Sequence, residues 1–196
     1  IIILRIICIY IMIKLINMII NEHKTIFIHI PKSAGTSIES FFGNRSFKIQ
    51  PGKHDNVHAI KKRFPNAYKT HRKFAIIRNP YDKMVSWYFY LKRNLNKDLN
   101  IVDFEEWLKD PSKLWHADDP ISFLNPQCTW IDETVEIIKY ENLKKEINDF
   151  FGKDINLPIL NKSNHKHYSE YYNNKSSDII YNRYKDDFKK FNYKKI

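Results

Sequence analysis

Cysteine is scarce: the 196 residues hold two, Cys8 and Cys128. Two thiols make no disulfide framework, and a reducing compartment is the default expectation. No internal repeat stands out. No zinc-finger spacing or basic helix marks a reader of nucleic acid. A Walker A loop would end Gly-Lys-Ser/Thr, and no such sequence occurs. No Asp/Glu pair sits where a magnesium site would need one. Acidic side chains are the minority, with 22 Asp and Glu against 33 Lys and Arg, for a net charge of +11. That balance favours anionic partners such as nucleotides, nucleic acid, acidic glycans or membrane surfaces. Lysine, isoleucine and asparagine are used heavily throughout, so the charge permits such partners without identifying one.

What is present suits one globular domain with a real core: 43% hydrophobic and 15% aromatic residues,. Residues 1–20 are apolar except for Arg5, Lys14 and Asn17. About 20 apolar residues can span a bilayer, and Lys14 could snorkel from an off-centre position. No small-residue cleavage site follows, which disfavours a cleaved signal peptide. The preferred reading makes residues 1–17 an upstream translated extension and 18–196 a single domain starting at Met18. The alternative is a membrane anchor. Cytoplasmic placement goes with the first reading and membrane anchoring with the second.

The most informative stretch is Thr25–Ser40. Thr25-Ile26-Phe27-Ile28-His29-Ile30 suits a buried strand,, and Pro31 ends it because proline has no N–H for a sheet. Gly35 can take backbone shapes that other residues resist and lets a ligand approach the main chain. Thr36 or Ser37 can cap a helix bearing Ile38, Phe41 and Phe42. Strand, tight loop and helix N-terminus together make an anion cradle. Lys32 adds a full charge, and Ser33, Thr36 and Ser37 add hydroxyl donors.

A second unit of the same kind follows. Ser46–Gln50 reads as a short strand closed by Pro51-Gly52. Asp55 or Asn56 can cap a helix with Val57, Ala59, Ile60 and Phe64, which Pro65-Asn66 stops. Lys73–Ile77 is strongly apolar and runs into Arg78-Asn79-Pro80-Tyr81-Asp82. Pro80 suits a helix first turn, and Met84, Val85, Tyr88 and Leu91 have core spacing. Two strand–turn–helix units with polar clusters at the strand ends imply a parallel α/β sheet, in which ligands bind beyond the strand C-termini.

Pro31–Ser37 resembles the 5′-phosphosulfate loop of sulfotransferases. Arg78–Tyr88 resembles their 3′-phosphate segment, with Arg78 and Ser86 eight positions apart. The likeness continues in Glu136–Leu143 and Tyr184–Tyr193, and so covers residues 23–193. The subgroup resembled includes carbohydrate sulfotransferases and their small bacterial relatives. It implies a P-loop NTPase-like three-layer fold, a central parallel sheet flanked by helices. It also implies 3′-phosphoadenosine 5′-phosphosulfate as donor co-substrate, a hydroxyl acceptor on a glycan, and no metal or nucleic acid. On that resemblance Pro31, Lys32, Ser33, Ala34, Gly35, Thr36 and Ser37 hold the 5′ end of the donor, and Arg78 and Ser86 its 3′-phosphate. Lys83 stands where the family often has arginine, which weakens a possible extra anion contact.

For chemistry, Lys32 is the candidate to stabilise charge on the bridging oxygen of the leaving phosphate. His54 and His58 are the candidate bases, His54 preferred because it projects from a loop at a helix start just before the expected cap Asp55. His29, inside the first strand, reads as a packed, hydrogen-bonded core residue. In the middle of the chain, Phe104–Leu108 reads as a short amphipathic helix. Trp107, Trp115, His116, Phe123 and Trp130 could stack on a sugar or fill a core, the core being preferred for each. Gln127–Trp130 could pack near the site. Asn161–His167 could close over the nucleotide or serve as a solvated linker. The competing classes are a P-loop-type nucleotide kinase or NTPase, and a non-enzymatic binder of acidic polymers.

Overall fold

In the computed structural model, the described residues are 19–42, 54–94, 103–111, 121–160 and 162–196. The expected strand at Ser46–Gln50 lies outside them, as do residues 1–18. Ile19 and Ile20, the end of the apolar N-terminal run, form a short strand. No helix among the described residues is long and apolar enough to cross a membrane.

Among the described residues the sheet has four strands in sequence order: β1 (Ile19–Ile20), β2 (Thr25–Ile28), β3 (Arg72–Ile77) and β4 (Val135–Lys139). β2–β3 and β3–β4 are parallel, with Phe27 opposite Phe74 and Ala75 opposite Ile137. β1 is antiparallel to β2, so the sheet is mixed where a parallel one was expected. The cause is connection length. Four residues, 21–24, join β1 to β2, and a parallel crossover needs a dozen or more. A single 3-10 turn, Asn21–His23, and a left-handed Lys24 (φ 45°) reverse the chain instead.

Two compact units divide the described residues. The first comprises the residues up to Ile77 together with Trp130–Leu160. It holds the sheet and the helices α1 (Gly35–Phe41), α2 (Val57–Arg63), α3 (Pro65–Thr70) and, after a short 3-10 turn, α6 (Leu143–Phe151). Its core gathers Ile20, Phe27, Ile38, Phe74, Ile76, Ile138, Ile147, Phe150 and Ile155. Residues from every strand and from α1 and α6 thus share one apolar cluster, which flanks the sheet with helices. α2 ends at Arg63 with Phe64 as its C-cap, ahead of Pro65 as expected; Pro65 also opens α3 at the first helical position, where a missing N–H costs nothing. Asn56, not Asp55, caps α2 by accepting from Ala59 N at 2.9 Å. Asp55 instead pairs with Arg63.

The second unit comprises the described parts of Arg78–Thr129 and Asn161–Ile196. It is helical: α4 (Pro80–Asn94), α5 (Phe104–Lys109), α7 (Asn174–Arg183) and α8 (Lys185–Phe191). Met84, Val85, Tyr88 and Leu91 of α4 are all buried, as their spacing predicts. Aromatic edges fill this interior. Tyr81 meets Tyr172 at 4.9 Å and Phe188 at 5.1 Å, and Tyr88 meets Phe104 at 5.3 Å. Trp107 and Phe123 are buried here, and Trp130 is buried in the first unit, the core reading for each. Trp115 and His116 lie outside the described residues.

Candidate functional site

β2 ends at Ile28, two residues before the apolar run does. From there to Gly35 the backbone is unusual. Lys32 (φ 66°) and Ala34 (φ 59°) both lie in the left-handed region, which costs a residue with a Cβ about 1–2 kcal/mol. Gly35 does not. Its glycine is needed for a different reason: a Cβ there would stand 1.7 Å from Nε2 of His29. That ring cannot easily yield. His29 is buried, its Nδ1 donates to Oε1 of Glu39 at 2.8 Å, and it stacks on Phe27 at 5.4 Å. His29 is thus the packed, hydrogen-bonded residue expected.

The turn at Ala34 makes that residue the N-cap and starts α1 at Gly35, with no side-chain cap. Thr36 and Ser37 therefore lie inside the helix instead of capping it. Ser37 Oγ accepts from Leu160 N at 3.3 Å. Ser33 differs: its hydroxyl is buried and has no hydrogen-bond partner among the described residues. A buried hydroxyl left unsatisfied costs free energy, and an anionic oxygen delivered to this loop would satisfy it. Pro31 is buried before it, and Lys32 is half-buried beside it. The donor set fits a phosphosulfate end: one unsatisfied hydroxyl, one cation and a backbone turned by two left-handed residues.

His54 joins this loop. Its Nδ1 lies 3.0 Å from the carbonyl oxygen of His29, and the two rings are 4.3 Å apart. A carbonyl only accepts, so Nδ1 carries the hydrogen and the neutral ring keeps its lone pair on Nε2. His58 is elsewhere, exposed on α2. Structure thus separates the two candidate bases, and it ties Glu39 to His29, a link no spacing rule would announce.

Arg78 follows the last residue of β3. It is buried to 7% exposure, and its Nε donates to Asp82 Oδ2 at 2.7 Å. This ion pair is buried, not on the surface. Asn79 Oδ1 accepts from Tyr81 N at 3.0 Å, which turns the chain into α4. Ser86 is buried two turns further on. The side chain of Gln127 bonds both the N–H and the C=O of Arg78. Lys83 is not an anion contact on the surface. It is fully buried near Asp187 and 5.6 Å from the Tyr184 ring, and its Nζ has no hydrogen-bond partner among the described residues. Burial pushes it down to about 8, with Asp187 opposing. At Cys128, burial first, then the Asp187 charge, push the thiol up to about 12. His165 stacks on Phe89 at 5.5 Å, within the stretch that was open between nucleotide cover and linker. No group of three His, Cys, Asp or Glu among the described residues could hold a metal ion.

Neither the curated proteins nor the solved structures yield a match to this chain. One family model does, described as "Sulfotransferase family", over residues 17–149. That span takes in the Pro31–Ser37 loop, His54, Arg78 and Ser86, and it covers more than half of the sequence. A loop with a cation and an unsatisfied buried hydroxyl, and a family model that runs across it, lead to one conclusion: the chain belongs to the sulfotransferase family, enzymes that move sulfate from a donor to a hydroxyl acceptor.

Proposed function

We propose that the protein moves a sulfuryl group from 3′-phosphoadenosine 5′-phosphosulfate to a carbohydrate hydroxyl by in-line displacement. Residues 18–196 act as one catalytic domain on a P-loop-like frame. Ser33 carries this reading: a hydroxyl buried in a strand–loop–helix turn with no hydrogen-bond partner among the described residues. The frame is supported by a loop that follows a parallel strand and opens a helix. The glycan acceptor rests on the resemblance of Pro31–Ser37 and Arg78–Tyr88 to the carbohydrate subgroup.

When bound, the donor supplies a sulfuryl group activated by its phosphate leaving group. Pro31–Ser37 hold its 5′ end, with the Ser33 hydroxyl as a donor and Lys32 balancing the charge that grows on the bridging oxygen. Arg78 holds the 3′-phosphate through a planar guanidinium whose aim Asp82 sets,. Ser86 adds a hydroxyl. His54 takes the acceptor proton at Nε2, because its Nδ1–H is engaged by the His29 carbonyl,.

A thermal-shift comparison tests the assignment. Adenosine 3′,5′-bisphosphate should raise the melting temperature more than ATP with magnesium or an oligonucleotide, since a ligand stabilises the fold that binds it. A larger shift with ATP and magnesium would favour a kinase or NTPase. A dominant, salt-sensitive shift with the oligonucleotide would favour a polyanion binder. Turnover of labelled donor against glycans, lipids and phenols then identifies the acceptor class.

A further inference from the structure

Gln127 has a buried side chain that no catalytic role absorbs. Its Oε1 accepts from Arg78 N at 2.9 Å, and its Nε2 donates to Arg78 O at 2.8 Å. One amide therefore bonds both backbone groups of a single residue, as the peptide of a neighbouring strand would. Fixing the N–H and the C=O on either side of the Arg78 Cα fixes the direction in which its side chain leaves the backbone.

The amide is itself held. Asp187, fully buried on α8, accepts from Gln127 N at 2.8 Å, from Gln127 Nε2 at 3.3 Å and from Cys128 N at 2.8 Å. Lys83, fully buried on α4, supplies the opposite charge to that carboxylate. Gln127 and Asp187, from two separate segments, thus form a chain of hydrogen bonds that ends on the backbone of one arginine. A buried amide whose oxygen and both N–H groups are engaged, as in Gln127, fixes one geometry at the cost of tolerance to change,.

We propose that Gln127, anchored by Asp187, is the positioning residue for Arg78, setting the backbone from which the guanidinium meets the 3′-phosphate of the donor. The proposal rests on the assignment of Arg78 to that phosphate. A positioning residue of this kind acts through Arg78, so its removal should affect only ligands that carry the 3′-phosphate. It should raise the KM for donor and leave kcat at saturating donor nearly unchanged, because the phosphate is remote from the reacting sulfur.

The test is a double-mutant cycle read by ligand binding. Dissociation constants are measured for adenosine 3′,5′-bisphosphate and for adenosine 5′-phosphate in wild type, Gln127→Leu, Arg78→Ala and the double variant. Gln127→Leu should weaken the bisphosphate about tenfold and the monophosphate less than about twofold. In the Arg78→Ala background the same change should cost the bisphosphate less than about twofold. If Gln127→Leu does not fold, Asp187→Asn carries the test with the same selectivity, because it keeps an oxygen for Gln127 N and removes the charge. Equal losses on both ligands from either variant, or an undiminished loss in the Arg78→Ala background, would make Gln127 merely structural and overturn the proposal. If Arg78→Ala itself fails to discriminate the two ligands, the assignment of Arg78 falls, and this inference falls with it. A selective Arg78→Ala beside an unselective Gln127→Leu would sink the inference alone.

Discussion

The Pro31–Ser37 loop and the Arg78 segment each follow a strand of the same parallel pair, and they are held by different forces. The loop is shaped by sterics. Two left-handed residues and a histidine ring standing where a Cβ would be leave the backbone little choice. Arg78 is shaped by polar bonding to Asp82 and to Gln127, with Asp187 behind it. Steric control is short in range: the partners that force Gly35 lie within ten residues of His29. Polar control at Arg78 reaches 49 positions to Gln127 and 60 more to Asp187.

The largest effect is expected on the loop side, at the proposed base. His54→Ala should lower turnover by about 10²–10⁴, with adenosine 3′,5′-bisphosphate binding and melting temperature near wild type. His58→Ala should be mild, because that ring is exposed on α2. Steady-state rates for the two variants decide the matter: a reversed order moves the base to His58, and normal rates in both exclude the two histidines.

On the polar side, Lys83 makes stability depend on alkaline pH. Its folded value is about 8 against 10.5 for an ordinary lysine. Below about pH 8 both states keep the proton. Between the two values the folded protein has shed it while the unfolded chain still binds it, so stability rises with pH. The gain reaches about 3 kcal/mol above pH 10.5. Urea unfolding across this range should show that rise in wild type relative to Lys83→Met, in which every other group still titrates. Parallel curves for the two proteins would mean that Lys83 is solvated.

Arg78→Ala should weaken donor-product binding by about 2–3 kcal/mol, which is roughly 30- to 150-fold. Arg78→Lys keeps the charge, loses the planar fork, and should recover only part of it. Calorimetric titration with and without the 3′-phosphate separates recognition from folding; equal losses on both ligands would make Arg78 structural.

The smallest of the four effects tests steric control directly. Gly35→Ala should cost about 1–3 kcal/mol, because the new methyl meets a ring tied to Glu39 and stacked on Phe27. In a His29→Ala background that added cost should vanish. A cost that persists there, measured by urea unfolding, would mean that something other than the ring forbids the methyl.

Much of this was legible in the sequence. The apolar runs Thr25–Ile30 and Lys73–Ile77 are read as strands, which form over Thr25–Ile28 and Arg72–Ile77; α4 is read from core spacing behind Pro80, and the loop from Pro31 and Gly35. Such signals work because backbone preference and one-sided burial act over a few residues. The errors lay where a local rule has two outcomes. Asp55 or Asn56 can cap the same helix, and Thr36 or Ser37 can cap only if the chain has not already turned at Ala34.

The sequence by itself determined the two strand–turn–helix units, the charged loop and the arginine–serine spacing, because each is set by neighbours along the chain. Only the tertiary structure decided the rest. It put a His29 ring against Gly35, chose His54 over His58 for contact with the loop, left the Ser33 hydroxyl without a partner among the described residues, and buried Lys83 beside Asp187. It also set the Gln127 amide on the Arg78 backbone. Hydrogen bonds and steric exclusion depend on distances of about 3 Å, and between residues far apart in sequence those distances exist only once the chain has folded.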